Sequence, residues 1–163
     1  MPVNQAACQG ISITPGMVLQ ATQAILFLFL LVAVSVCDIK SREIPDRLQA
    51  AIALLCFLQF SPWNLAGVLA ALPYLLVALA GPGTGGIGGG DIKLAAAIGM
   101  VLGLPASLAA SVMGLVGFTA FGLVCSALKR LKGRKERAAY PVGPFLASGA
   151  AIAYFMKTGG WIV

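Results

Sequence analysis

The chain has 163 residues, 60% of them hydrophobic and 10% charged, with a formal net charge of +6 and a mean hydropathy of +0.96. Soluble domains average about 25% charged residues, so this composition excludes an ordinary soluble domain and points to an all-α, polytopic membrane protein. The basic residues lie between apolar runs, where the positive-inside rule expects them, which argues against a nucleic-acid partner.

Residues 1–16 carry no charged side chain, whereas a cleavable signal peptide needs a basic segment ahead of its apolar core. The run 17–37 therefore reads as a retained first span. It ends at Asp38, which opens a polar loop through Arg47, and Pro45 followed by Asp46 reads as a helix start with Asp46 as N-cap. A second span over 48–60 leads to a tight turn at 61–64, where Trp63 sits at interfacial depth. A third span covers 65–80, with Pro73 as its kink.

The glycine-dense stretch 81–90 then runs directly into Asp91. From 92 to 128 apolarity is almost unbroken, which as one helix would reach about 55 Å against a ~30 Å hydrocarbon core. Gly103-Leu104-Pro105 is the natural break, giving spans 92–102 and 106–128, and Ala95, Gly99 and Gly103 make a small-residue face for close helix packing. The basic loop 129–137 sets topology first and attracts anionic lipid second. A last span covers 144–156. The expectation is a single domain over 1–163 with about six transmembrane helices. Every basic residue except Lys157 then falls on one side, which places both termini on the non-cytoplasmic face.

The same topology sets two acids at the cytoplasmic edge. Asp38 and Asp91 abut apolar spans, while Glu43, Asp46 and Glu136 lie within polar loops. Two carboxylates in a poorly solvated place cannot both ionise easily; one keeps a proton while the other acts as base toward a shared water. From position alone, Asp38 also reads as a helix-end charge and Asp91 as an N-cap. The chain has no histidine, and Cys8, Cys37, Cys56 and Cys125 are widely spaced, so no metal or other cofactor is expected. A serine or cysteine nucleophile would lack a base. The segment 83–88 satisfies GxGxxG, but its apolar flanks are not a βαβ unit and no Lys-Ser or Lys-Thr follows, which removes a nucleotide site.

Gly88-Gly89-Gly90-Asp91 resembles the GxGD signature of intramembrane-type aspartyl proteases, and the continuation Ile92-Lys93-Leu94 resembles the type IV prepilin peptidase family in particular. Asp38-Ile39-Lys40 with Arg42, Ile44 and Pro45 resembles that family's first motif, and residues 141–147 resemble its PxGPFLA segment through Pro141, Gly143 and Pro144. The resemblance implies a catalytic pair, Asp38 and Asp91, that cleaves leader peptides from type IV prepilin or pseudopilin precursors. Cleavage would fall at the cytoplasmic boundary of the inner membrane, typically after a glycine. It also implies an active-site loop around Gly88, Gly90 and Lys93, with Lys40 and Arg42 beside it, and a multi-pass enzyme of the short, peptidase-only form. Asp46 stands where the family often has asparagine. Alternatives are a signal-peptide-peptidase or presenilin-like protease, whose Tyr-Asp and Pro-Ala-Leu motifs are not found here, and a non-catalytic scaffold or transporter.

Overall fold

A computed structural model of the chain describes residues 15–80, 88–131 and 141–162. Among these residues there is no strand; helices α1 (Pro15–Ser41), α2 (Asp46–Leu54), α3 (Pro62–Leu65), α4 (Leu72–Ala80), α5 (Gly89–Leu102), α6 (Leu104–Leu131) and α7 (Gly143–Thr158) account for nearly all of them. Short 3₁₀ segments, Leu55–Gln59 and Ala66–Ala71, prolong α2 and join α3 to α4.

Helix α5 is the hub. It packs against α2, α4, α6, α7 and the Ala66–Ala71 segment. It buries Leu94, Ala95, Ala97, Ile98, Val101 and Leu102, so it is covered nearly all round, as its uniformly apolar sequence requires. Helix α1 instead buries one stripe, Gln23, Phe27, Leu31, Val34 and Asp38, at helical spacing. Its other faces, like those of α6, expose large apolar side chains such as Phe29, Val32, Leu123 and Val124. Two helical stretches, Pro15–Ser41 and Leu104–Leu128, are long and apolar enough to cross a membrane by length and composition.

The small-residue face of α5 makes the tightest crossing in the core. A Cβ on Gly99 would overlap the Gly67 carbonyl, and one on Gly67 would overlap the Gly99 carbonyl. At Gly103, φ is 78°, and the chain turns there from α5 into α6 with the Gly103 N–H bonded to the Gly99 carbonyl at 2.8 Å. The expected break before Pro105 is therefore where the helices separate.

Several expected boundaries move. Helix α1 continues past Cys37 to Ser41, so Asp38 lies in its last turn rather than opening a loop. The stretch expected as a turn at 61–64 is mostly helix α3, with Pro62 at its start. Asp46 is the first residue of α2 and not its N-cap; that position is Pro45, whose backbone is still extended, with ψ 131°, while its carbonyl accepts from the Leu48 N–H at 3.0 Å. Pro73 follows a 3₁₀ segment, so the irregularity lies in the turn before it. Lys157, the outlier of the charge pattern, donates from Nζ to the Leu102 carbonyl at 2.8 Å and so caps the C-terminal end of α5, where a cation is favoured. The glycine-dense stretch through residue 87 and the basic loop 132–140 lie outside the described residues.

The crossing is backbone against backbone and cannot give way by side-chain rotation. Gly99→Val is expected to destabilise the fold by about 3 kcal/mol or more, read as a lowered Tm of the detergent-solubilised protein.

Candidate active site

Three helix termini meet at one end of α5. The last turn of α1 carries Asp38 inward because Asp38 continues the buried stripe, and its residue exposure is 7%. The chain then leaves α1 through Arg42, whose φ of 54° is in the left-handed region, with the Arg42 N–H bonded to the Asp38 carbonyl at 3.0 Å. A non-glycine residue in that conformation is strained and is most common where a site over-determines it. Residues 43–45 lead back into α2.

Asp91 arrives from the other side, as the third residue of α5 after the N-cap Gly88. The N-cap reading of Asp91 is thus corrected by three residues. Its carboxylate bonds the Gly88 backbone, the reach-back half of a capping box. The Gly88 carbonyl accepts from the Asp91 N–H at 2.9 Å. Gly88 has an ordinary φ of −62°, and a Cβ there or on Gly90 would meet its nearest neighbour at 3.6 Å. A side chain at either position would thus make only ordinary van der Waals contact, and neither glycine is held in a conformation closed to other residues.

The third terminus is α7. Gly143, its first residue, donates its N–H to Oδ2 of Asp38 at 2.8 Å, in a buried bond between residues far apart in the chain. A Cβ at this position would stand 2.6 Å from Oδ2 and 3.0 Å from Cγ. Only glycine lets the helix start so close to the acid. Pro144 occupies the second helical position, where its missing N–H costs nothing, and Pro141 precedes the helix.

Asp38 and Asp91 line one pocket of about 420 Å³, together with Arg42, Gly88, Gly90 and Lys93 from the expected set. Glu43, Ile44, Asp46 and Gly89 also line it and were not expected there. Lys40 is exposed on α1 and is not among the lining residues, and Pro45 serves as the start of α2. Lys93 pairs with Asp46 at 2.9 Å, with the two side chains 61% and 76% exposed, so the bridge is weakly held in water.

Asp91 lies just ahead of the apolar run that begins at Ile92. Its pKa is raised from 3.8 to about 6, first by burial, next by the negative charge of Asp38, against the lowering influence of the Gly88 backbone bond. One acid of the pair therefore holds its proton well into the mildly acidic range while its neighbour's charge helps keep it there. That is the condition for a two-carboxylate site to activate a shared water.

An all-α chain with paired carboxylates at a helix-end pocket defines a class, and comparison with known proteins narrows it. The sequence pattern of the type IV leader peptidase family matches residues 25–128. A prepilin leader peptidase/N-methyltransferase of Bacillus subtilis (strain 168) is 37% identical over 151 residues, covering 85% of this chain and 57% of the relative. A protein of the same description from Burkholderia pseudomallei (strain 1026b) is 33% identical over 145 residues, covering 78% of this chain and 44% of the relative. The chain belongs to the type IV leader peptidase family. It spans about half the length of these curated relatives. No solved structure matches it.

The raised pKa has a consequence for stability that is independent of any activity. A carboxyl whose folded pKa lies above its unfolded value of 3.8 contributes stability that is complete below that value and lost as pH rises through about 6. Asp91→Asn should therefore raise Tm relative to the parent at pH 7.5, and the difference should vanish below pH 4. Thermal melts across that range check the sign.

Proposed function

We propose that this protein is a membrane aspartyl endopeptidase that removes leader peptides from type IV prepilin or pseudopilin precursors at the cytoplasmic membrane boundary. The observation that carries the reading is the convergence of Asp38 and Asp91 on one pocket, with Asp91 raised to about 6. Family membership and the names of the relatives support the precursor class.

In this reading Asp91 enters the cycle protonated and Asp38 ionised. A water between them loses its proton to Asp38 as its oxygen attacks the scissile carbonyl, while Asp91 gives its proton to the carbonyl oxygen. The resulting tetrahedral diol collapses when Asp38 passes its proton to the departing amide nitrogen and Asp91 recovers one from the diol hydroxyl. The acid and amine are released and both aspartates return to their starting states. No covalent intermediate is needed. The Gly143 N–H holds the Asp38 carboxylate in place through this exchange.

The membrane arrangement belongs to the same proposal. The single domain spans the inner membrane with about six helices, the short ones tilted or sheltered by α1 and α6, and both termini lie outside the cytoplasm. The basic segments around residues 40–47, Lys93 and 129–137 then face the cytoplasm and anionic lipid, and put the acid pair where a precursor's leader meets its hydrophobic segment.

Purified protein incubated with a pilin-like precursor, with the released leader identified by mass, tests the activity. Asp38→Ala and Asp91→Ala should each lower cleavage by about 10³-fold or more. Asp46→Ala should retain most of it, since Asp46 engages Lys93 at the exposed rim; full cleavage by the Asp91 variant would overturn the proposal. Gly143→Ala sets a methyl against the Asp38 carboxyl and should lower kcat by about 10–100-fold with KM little changed.

A further inference from the structure

Gln49 is buried beside the acid pair and has no part in the chemistry above. It lies in the first turn of α2, one turn after Asp46, with a residue exposure of 5%. Its Nε2 donates to the Gly90 carbonyl at 3.2 Å and to the Ile44 carbonyl at 3.4 Å. The amide cannot be turned over, because its oxygen would then face two carbonyl oxygens. In the orientation that satisfies both carbonyls, Oε1 is buried with no hydrogen-bond partner.

A buried, unpartnered acceptor is unfavourable, and an apolar side chain of similar shape would avoid it. What the glutamine gains is a bridge between two particular segments. Ile44 belongs to the connection that follows Asp38, and Gly90 immediately precedes Asp91; both line the pocket. Among the described residues, the other polar tie between these segments is the exposed Lys93–Asp46 bridge, which water and salt screen. Gln49 is the tie that stays dry.

We propose that Gln49 is a positioning residue for the acid pair: by bridging the Ile44 and Gly90 carbonyls it fixes the turn that carries Asp91 relative to the connection leaving Asp38. The catalytic half of this inference rests on the peptidase reading; the mechanical half does not. Gln49→Met keeps the length and volume of the side chain while removing both the bridge and the orphaned oxygen.

Two measurements on the full chain in detergent decide it. Amide hydrogen exchange over residues 90–94 should quicken in Gln49→Met while Tm stays equal to the parent's or rises. In precursor cleavage, kcat should fall about tenfold with KM within about twofold. Unchanged exchange over 90–94 overturns the bridge; a kcat within about twofold of the parent's, or one lost only in step with a lowered Tm, overturns the positioning role in catalysis. If the parent protein cleaves no precursor, the peptidase reading fails, and the exchange measurement still decides whether Gln49 holds the turn.

Discussion

A buried carboxylate needs a partner, and for Asp38 that partner is the Gly143 N–H. The requirement is sharper here than for most buried acids. Asp38 lies in the last turn of α1, where the helix's own terminal carbonyls disfavour a negative charge. The start of α7 supplies the opposite field at the same point, with a hydrogen bond of 2.8 Å. A charge-assisted bond of this kind contributes roughly 1.5–3 kcal/mol, against about 0.3–1 kcal/mol for a terminal charge in a helix dipole. The hydrogen bond is the larger influence, and it explains why the chain carries a glycine at the first residue of α7.

Once Asp38 is seated, the position of Asp91 follows from the packing of α5. That helix is covered nearly all round and is locked against the Ala66–Ala71 segment by glycine at both sides of the crossing. Its axial position is held at the far end by the Lys157 cap on Leu102. At the near end, Gln49 and the Gly88 backbone hold the turn that presents Asp91. Rigid support at both ends keeps two acids close despite their mutual repulsion.

Much of this is legible in the chain. The stripe Gln23, Phe27, Leu31, Val34, Asp38 has helical spacing throughout, so the burial of Asp38 is foreshadowed by the four residues before it. The acid after the glycine run and the Gly103 break are equally readable. What escapes a linear reading are contacts between distant segments. Nothing near Gly143 announces that its N–H meets Asp38, and Gln49 reads as an ordinary polar residue of a short helix until Gly90 is set against it. Asp46 misleads because it has the chemistry of an N-cap, while Pro45 already supplies the entry geometry and Lys93 engages the carboxylate. Lys157 misleads for a similar reason: a charge that caps a neighbouring helix counts, in a linear tally, as a topology signal.

The central claim is that Asp38 and Asp91 share one electrostatic environment. Following the carboxyl of Asp91 by ¹³C NMR or difference infrared spectroscopy, in the parent and in Asp38→Asn, tests it most directly. The account predicts titration near pH 6 in the parent and a clear fall when the charge at position 38 is removed. An Asp91 that titrates near its ordinary 3.8, or that is indifferent to position 38, would contradict it.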